Sequence, residues 1–238
     1  MYKRQIYAGR REVVFLILSG LFLGTLAMLN ILGISRFVDL SFNIGSLEIP
    51  MPLAIGVLPY PVTFLCTDFI SELYGRKRAN RVVWMGLLLN LWVMSILWLA
   101  GVLPGTEARA FFEIRSYAFA AVWASMVAYL FAQFVDVELF HWWKRRTQGK
   151  HLWLRNNGST MLSQIVDTVS VILITFWLTP KALPLNNDSS ISSQLCGLIG
   201  AGYVFKVTTA LLDTIPLYLG VRSLRPFLGI SEEGVPDP

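Results

Sequence analysis

Apolar residues run along this chain in six long stretches, separated by short segments that collect charge, glycine and proline. The stretches lie at roughly 13–34, 51–71, 82–103, 117–142, 160–180 and 195–220. Each has about the 20 apolar residues that a helix needs to cross a bilayer core. The pattern predicts an all-α polytopic membrane protein with six transmembrane helices. Residues 1–230 would form one transmembrane domain, and 231–238 a short polar tail. The second stretch is irregular, because Pro59-Tyr60-Pro61 falls near its middle. Each proline removes a backbone donor and disfavours helix at the residue before it. Freed carbonyls are tolerated in a membrane only against protein or a water-lined cavity. Two readings follow, a helix broken at a substrate site or a plain proline kink.

Composition agrees with a membrane environment. Of 238 residues, 55% are hydrophobic and 15% charged, against about 25% charged in soluble domains. The mean hydropathy is +0.57. Cys66 and Cys196 sit in apolar runs and read as small buried hydrophobes rather than a disulfide. His141 and His151 flank a basic loop. No metal-ligand spacing or nucleophile–base arrangement occurs, so neither a metal nor a cofactor is expected, and an enzyme is not. The basic start (Lys3, Arg4, Arg10, Arg11) precedes an apolar run too long for a signal peptide.

The charges also orient the chain. With the N-terminus inside, fifteen of the 20 lysines and arginines fall in cytoplasmic segments. Only Arg36, Arg109, Arg115 and Lys181 lie outside, and Lys206 is within a helix. Positive residues stay inside, so both termini are expected in the cytoplasm. The basic residues are split among four short segments. They therefore suit anionic lipid head groups better than nucleic acid.

Several charges lie where lipid should not tolerate them, at a cost of about 2.5–3.5 kcal/mol each near mid-bilayer. Asp68 and Glu72 end the second helix, Asp136 and Glu138 lie in the fourth, Asp167 in the fifth, and Lys206 and Asp213 in the sixth. Residues three, four and seven apart share a helix face. Tyr129, Gln133, Asp136 and Phe140 form one stripe. Thr160, Ser163, Asp167 and Ser170 form another, with Gln164 beside it. Lys206, Thr209 and Asp213 form a third. Turning all three inward around one polar cavity avoids lipid at least cost. Asp136 and Asp167 are the leading ligands for a substrate, since neither has a sequence-local cation. Asp68 would join the site or gate it. Glu72 could gate or couple transport, or simply pair with Arg76 four residues on. Asp213 could pair with Lys206, and Glu138 could snorkel. Asn30 and Asn90 could bind substrate or serve as ordinary interhelical hydrogen-bonding residues.

The stretch Pro59-Tyr60-Pro61-Val62-Thr63-Phe64-Leu65-Cys66-Thr67-Asp68, continuing through Glu72-Leu73-Tyr74-Gly75, resembles the signature of the queuosine precursor transporter family. Residues 133–140, Ser159 to Trp177 and Phe205-Lys206-Val207 agree with it in order. The resemblance implies six helices and cytoplasmic termini in a bacterial inner membrane. It also implies a bundle like the substrate-binding subunits of energy-coupling-factor vitamin transporters. The implied cargo is a 7-deazaguanine: preQ0, preQ1 or queuine, precursors of a modified tRNA base. Such a base offers N1–H and its N2 amino group side by side, and one carboxylate accepts both. Its O6 needs a donor, and its flat ring stacks on aromatic side chains. Asp136 and Asp167 would meet the polar edges, with Gln133, Gln164 and Lys206 completing the set. Tyr60, Phe64 and Tyr129 are available for stacking.

Two other classes compete with a self-sufficient carrier. A solitary binding subunit would need an ATP-driven partner chain, because no nucleotide-binding P-loop is present. A lipid-binding or scaffold protein would not need its inward acids. Gly197 and Ala201, beside Gly200 and Gly202, permit close helix approach, either as internal packing or as a homodimer seam.

Overall fold

Among the described residues of the computed structural model, six α-helices follow one another: α1 (Tyr2–Leu32), α2 (Tyr60–Tyr74), α3 (Arg76–Val102), α4 (Arg109–Arg146), α5 (Leu152–Leu178) and α6 (Ile191–Leu228). Each overlaps one apolar stretch of the sequence. The structure describes residues 2–44, 47–49, 51–106, 108–146, 152–186 and 189–230. Some side chains within these ranges lie outside the description, including those of Arg76, Gln133, Asp136 and Phe140 and most between 152 and 160. Among the described residues, four helices (α1, α3, α5 and α6) are long and apolar enough to cross a bilayer. The fold is that of a helical membrane protein.

The second helix differs from the expected 51–71. Pro52–Ala54 is a strand and Ile55–Val57 a 3-10 turn. The helix begins at Tyr60, with Pro59 as N-cap and Pro61 in the first turn. The first N–H groups of a helix lack intrahelical partners, so proline loses nothing there, and its fixed φ suits the start. The double proline opens a helix instead of breaking one. At 15 residues, α2 is about 22 Å long at 1.5 Å per residue. That is short of the ~30 Å hydrocarbon core.

Strands occupy the segment after α1. Here β1 (Phe37–Asp39) pairs antiparallel with β4 (Pro52–Ala54), and β2 (Phe42–Ile44) with β3 (Leu47–Ile49). Val38 faces Leu53, and Asn43 faces Glu48. Between β1 and β2, Ser41 donates to Asp39 through its N–H at 2.9 Å and through its hydroxyl. These bonds hold the Asp39 carboxyl below the ordinary aspartate range, the hydroxyl bond contributing most. Its folded-state pKa is lowered, so the corner is favoured above that range and loosens as pH falls through it.

The chain divides into two compact units. The first comprises residues 1–30, 58–106 and 208–238. Its core gathers Phe22 from α1, Cys66, Ile70, Leu73 and Tyr74 from α2, Ala79 and Val82 from α3, and Leu228 and Ile230 from the end of α6. Two arginines of α1 secure that end. Arg11 donates Nε–H to the Leu228 carbonyl at 2.8 Å and Nη2–H to that of Gly229. Arg10 donates to the Phe227 carbonyl at 3.3 Å and lies 4.6 Å over its ring. The last carbonyls of a helix have no intrahelical donors, so these cations satisfy them from another helix. Gly229 has φ 58, and a Cβ there would lie 2.9 Å from the Tyr7 ring.

The second unit comprises residues 31–57 and 107–207. In it α4 lies along α5. Ala118, Ala121, Ala124 and Ala128 are buried on α4 at spacings of three and four, a stripe of small side chains that lets helix backbones approach. Leu183, Leu195 and Leu198 form a second cluster with Phe37, Ile172, Phe176 and Leu185. Cys66 is buried as expected, but Cys196 is exposed.

Candidate functional site

Within the second unit, α5 brings Asp167 against Lys206 of α6, and the two form an ion pair. Their side chains are 16% and 10% exposed. A lone charge there would be costly, and a mutual pair with further bonds is the form in which such charges persist. Gln164 lies one turn before Asp167. Its carbonyl oxygen accepts from the Thr168 hydroxyl at 2.8 Å. Its side-chain Oε1 is buried without a hydrogen-bond partner among the described residues. Ser163 is buried on the same helix.

Beside the pair lies a cavity of about 60 Å³, room for a few waters, each needing roughly 10–15 Å³ by the same measure. Lys206 lines it together with Thr168, Val171, Ile172 and Thr175 of α5. Leu198 and Gly202 of α6 and Phe37, Leu53 and Ala54 of the strands close other sides. Gly202 matters for its size: a Cβ there would stand 3.2 Å from the Thr168 methyl. Thr175 is 1% exposed, and its hydroxyl has no partner among the described residues.

Other expected site residues fall in the first unit. Asp68 of α2 and Asp213 of α6 lie within electrostatic reach of each other. Glu72 pairs with Arg225 of α6. Tyr60 and Phe64 meet edge to face at 4.5 Å. Asn30 donates its side-chain N–H to Asn90 Oδ1 at 2.8 Å, and both residues are buried. In the second unit, on α4, Tyr129 is 55% exposed and Glu138 is exposed. The side chains of Gln133 and Asp136 lie outside the described residues. Sequence reasoning missed Thr175 and the strands that wall the cavity. Thr175 was within reach of it, because it follows Thr168 by seven residues and so repeats its face.

Long apolar helices, with an ion pair buried between two of them beside a cavity, define a helical membrane protein with a polar site in its interior. Residues 54–220 match the family model described as "Putative vitamin uptake transporter", and the chain belongs to that family. It is 29% identical to the "Queuosine precursor transporter" of Escherichia coli (strain K12), over 68% of this chain and 70% of that one. It is 29% identical to the "Probable queuosine precursor transporter" of Bacillus subtilis (strain 168), over 51% of this chain and 56% of that one. For the Haemophilus influenzae protein of the same description the identity is 25%, over 68% and 66%. No solved structure matches the chain.

Proposed function

We propose that this protein imports queuosine precursors, 7-deazaguanines such as preQ0 and preQ1, across the bacterial inner membrane. The observation that carries the reading is the buried Asp167–Lys206 pair, in a chain whose relatives bear the name of that transport. Carboxylate and ammonium side by side complement one edge of a deazaguanine. The carboxylate accepts from N1–H and the N2 amino group, and the ammonium donates to O6. Both are charge-assisted bonds. Gln164 offers a further acceptor, its Oε1 being unpartnered among the described residues. Asp136 and Gln133 of α4, whose side chains lie outside the described residues, and Asp68, as ligand or gate, remain candidates on the sequence alone. All six helices belong to one transmembrane domain with both ends in the cytoplasm, as the charge distribution supports, and the bundle is akin to energy-coupling-factor binding subunits.

The test is uptake of labelled precursor by cells that cannot make it and express this chain. Asp167→Asn lowers uptake between about tenfold and a hundredfold, the weight of one or two hydrogen bonds to a charged group. Removing one charge also strands Lys206. The double variant D167N/K206M removes both charges, so it folds better than D167N yet still fails to import. Parental uptake by a well-expressed D167N would refute the assignment.

A further inference from the structure

We propose that the cavity beside Lys206 holds the substituent at C7 of the transported base, and that its lining selects an uncharged substituent over an alkylammonium one. The inference rests on the reading of Asp167 and Lys206 as the base-binding pair, and it adds what that pair cannot decide. Lys206 belongs both to the ion pair and to the cavity wall. A group hung from a ring held there projects into the cavity. The volume of about 60 Å³ limits that group to a few heavy atoms. Among the described residues, the wall is aliphatic apart from Phe37, Thr168, Thr175 and Lys206. It offers no carboxylate, and its one charged group is the Lys206 ammonium. An alkylammonium placed there would lose water and find no carboxylate in the wall, since the nearby Asp167 is already engaged by Lys206.

Thr175 adds a positive preference. Its hydroxyl is buried and unpartnered among the described residues. Thr168, by contrast, spends its hydroxyl on the Gln164 carbonyl. A buried hydroxyl without a partner is unfavourable, and a short acceptor such as a nitrile would supply one. Thr175 is thus the specificity-determining residue of the subsite, while Asp167 and Lys206 hold the ring common to all cargoes.

The experiment compares uptake of three bases by cells expressing the full chain: 7-deazaguanine, its 7-cyano derivative and its 7-aminomethyl derivative. The 7-cyano compound is expected to be taken up at least about tenfold better than the 7-aminomethyl one at neutral pH, on the cost of an unpaired buried charge. Thr175→Val should lower the ratio of 7-cyano to 7-deazaguanine uptake about fivefold, the worth of one neutral hydrogen bond. Thr175→Ser, which keeps the hydroxyl, should restore that ratio and guards against a folding defect. Val171→Asp, which places a carboxylate in the wall, should shift preference towards the 7-aminomethyl compound. Equal uptake of the two substituted bases, or a ratio untouched by T175V, overturns the subsite while leaving the base-binding pair standing if D167N still lowers 7-deazaguanine uptake at least about tenfold. Failure to import any of the three bases overturns both readings.

Discussion

At the scale of single residues, neighbouring polar side chains on apolar helices divide by what they bond. Asn30 and Asn90 were equivalent in the sequence, each a lone amide in an apolar run. The structure joins them to each other across α1 and α3. Such a bond is worth about 0.6 kcal/mol on average in a membrane, and up to ~1.7. Leaving one partner unsatisfied costs more than losing both. Asn90→Leu should therefore lower the melting temperature in detergent, and Asn30→Leu/Asn90→Leu should recover most of the loss. A double variant that melts lower than either single one would show that the amides do something besides bond each other. Asp167 illustrates the limit of reading residues from a stripe. Its helix face was legible, because Ser163 and Ser170 share it. Its partner was not, since a stripe has no information on which neighbouring helix will face it. Lys206 could equally have served Asp213, seven residues along its own helix. Packing of α5 on α6, with Gly202 admitting Thr168, gave it to Asp167.

At the scale of elements, helices were legible by length and apolarity, and their ends were set by chemistry that hydropathy ignores. Residues 51–59 are as apolar as those that follow, so the expected helix ran through them. Two prolines set the true start at Tyr60, and the strands before it went unseen because they are three residues each. The far end of α6 shows the same kind of local control. Its closing Gly229 has φ 58 and lies under the Tyr7 ring, while Arg11 binds the carbonyls around it. Gly229→Ala should destabilise the protein by about 1–2 kcal/mol, the left-handed backbone conformation supplying most of that for a residue with a Cβ. Asparagine tolerates the conformation better, but it still meets Tyr7. Thermal unfolding should consequently rank wild type above G229A and G229N alike. Combining G229N with Tyr7→Ala should regain more stability than combining G229A with it. If Gly229→Ala leaves unfolding unchanged, the arginine clasp alone closes the helix.

At the scale of the whole molecule, charge orients what hydrophobicity inserts. Fifteen of the 20 lysines and arginines fall into segments that alternate along the chain, and Arg10, Arg11 and Arg225 show what such residues also do once placed. They bind the carbonyls and the Glu72 carboxylate at one end of the first unit. A basic end therefore serves insertion and packing together, and reversing its charge would disturb both. The proposed orientation puts the α5–α6 connection outside and the C-terminal end of α6 inside. Ser189 lies in that connection and Ser223 on the last turns of α6, and both are exposed. In a background with Cys66→Ser and Cys196→Ser, a membrane-impermeant maleimide applied to intact cells should label Ser189→Cys and leave Ser223→Cys unmodified until the membrane is opened. Labelling of S223C in sealed cells would invert the topology. It would also move to the inside the connection after α5, which carries Leu183, one of the cavity's walls. An importer takes up its cargo from the outside, so the labelling pattern decides whether that wall lies on the side from which the cargo arrives.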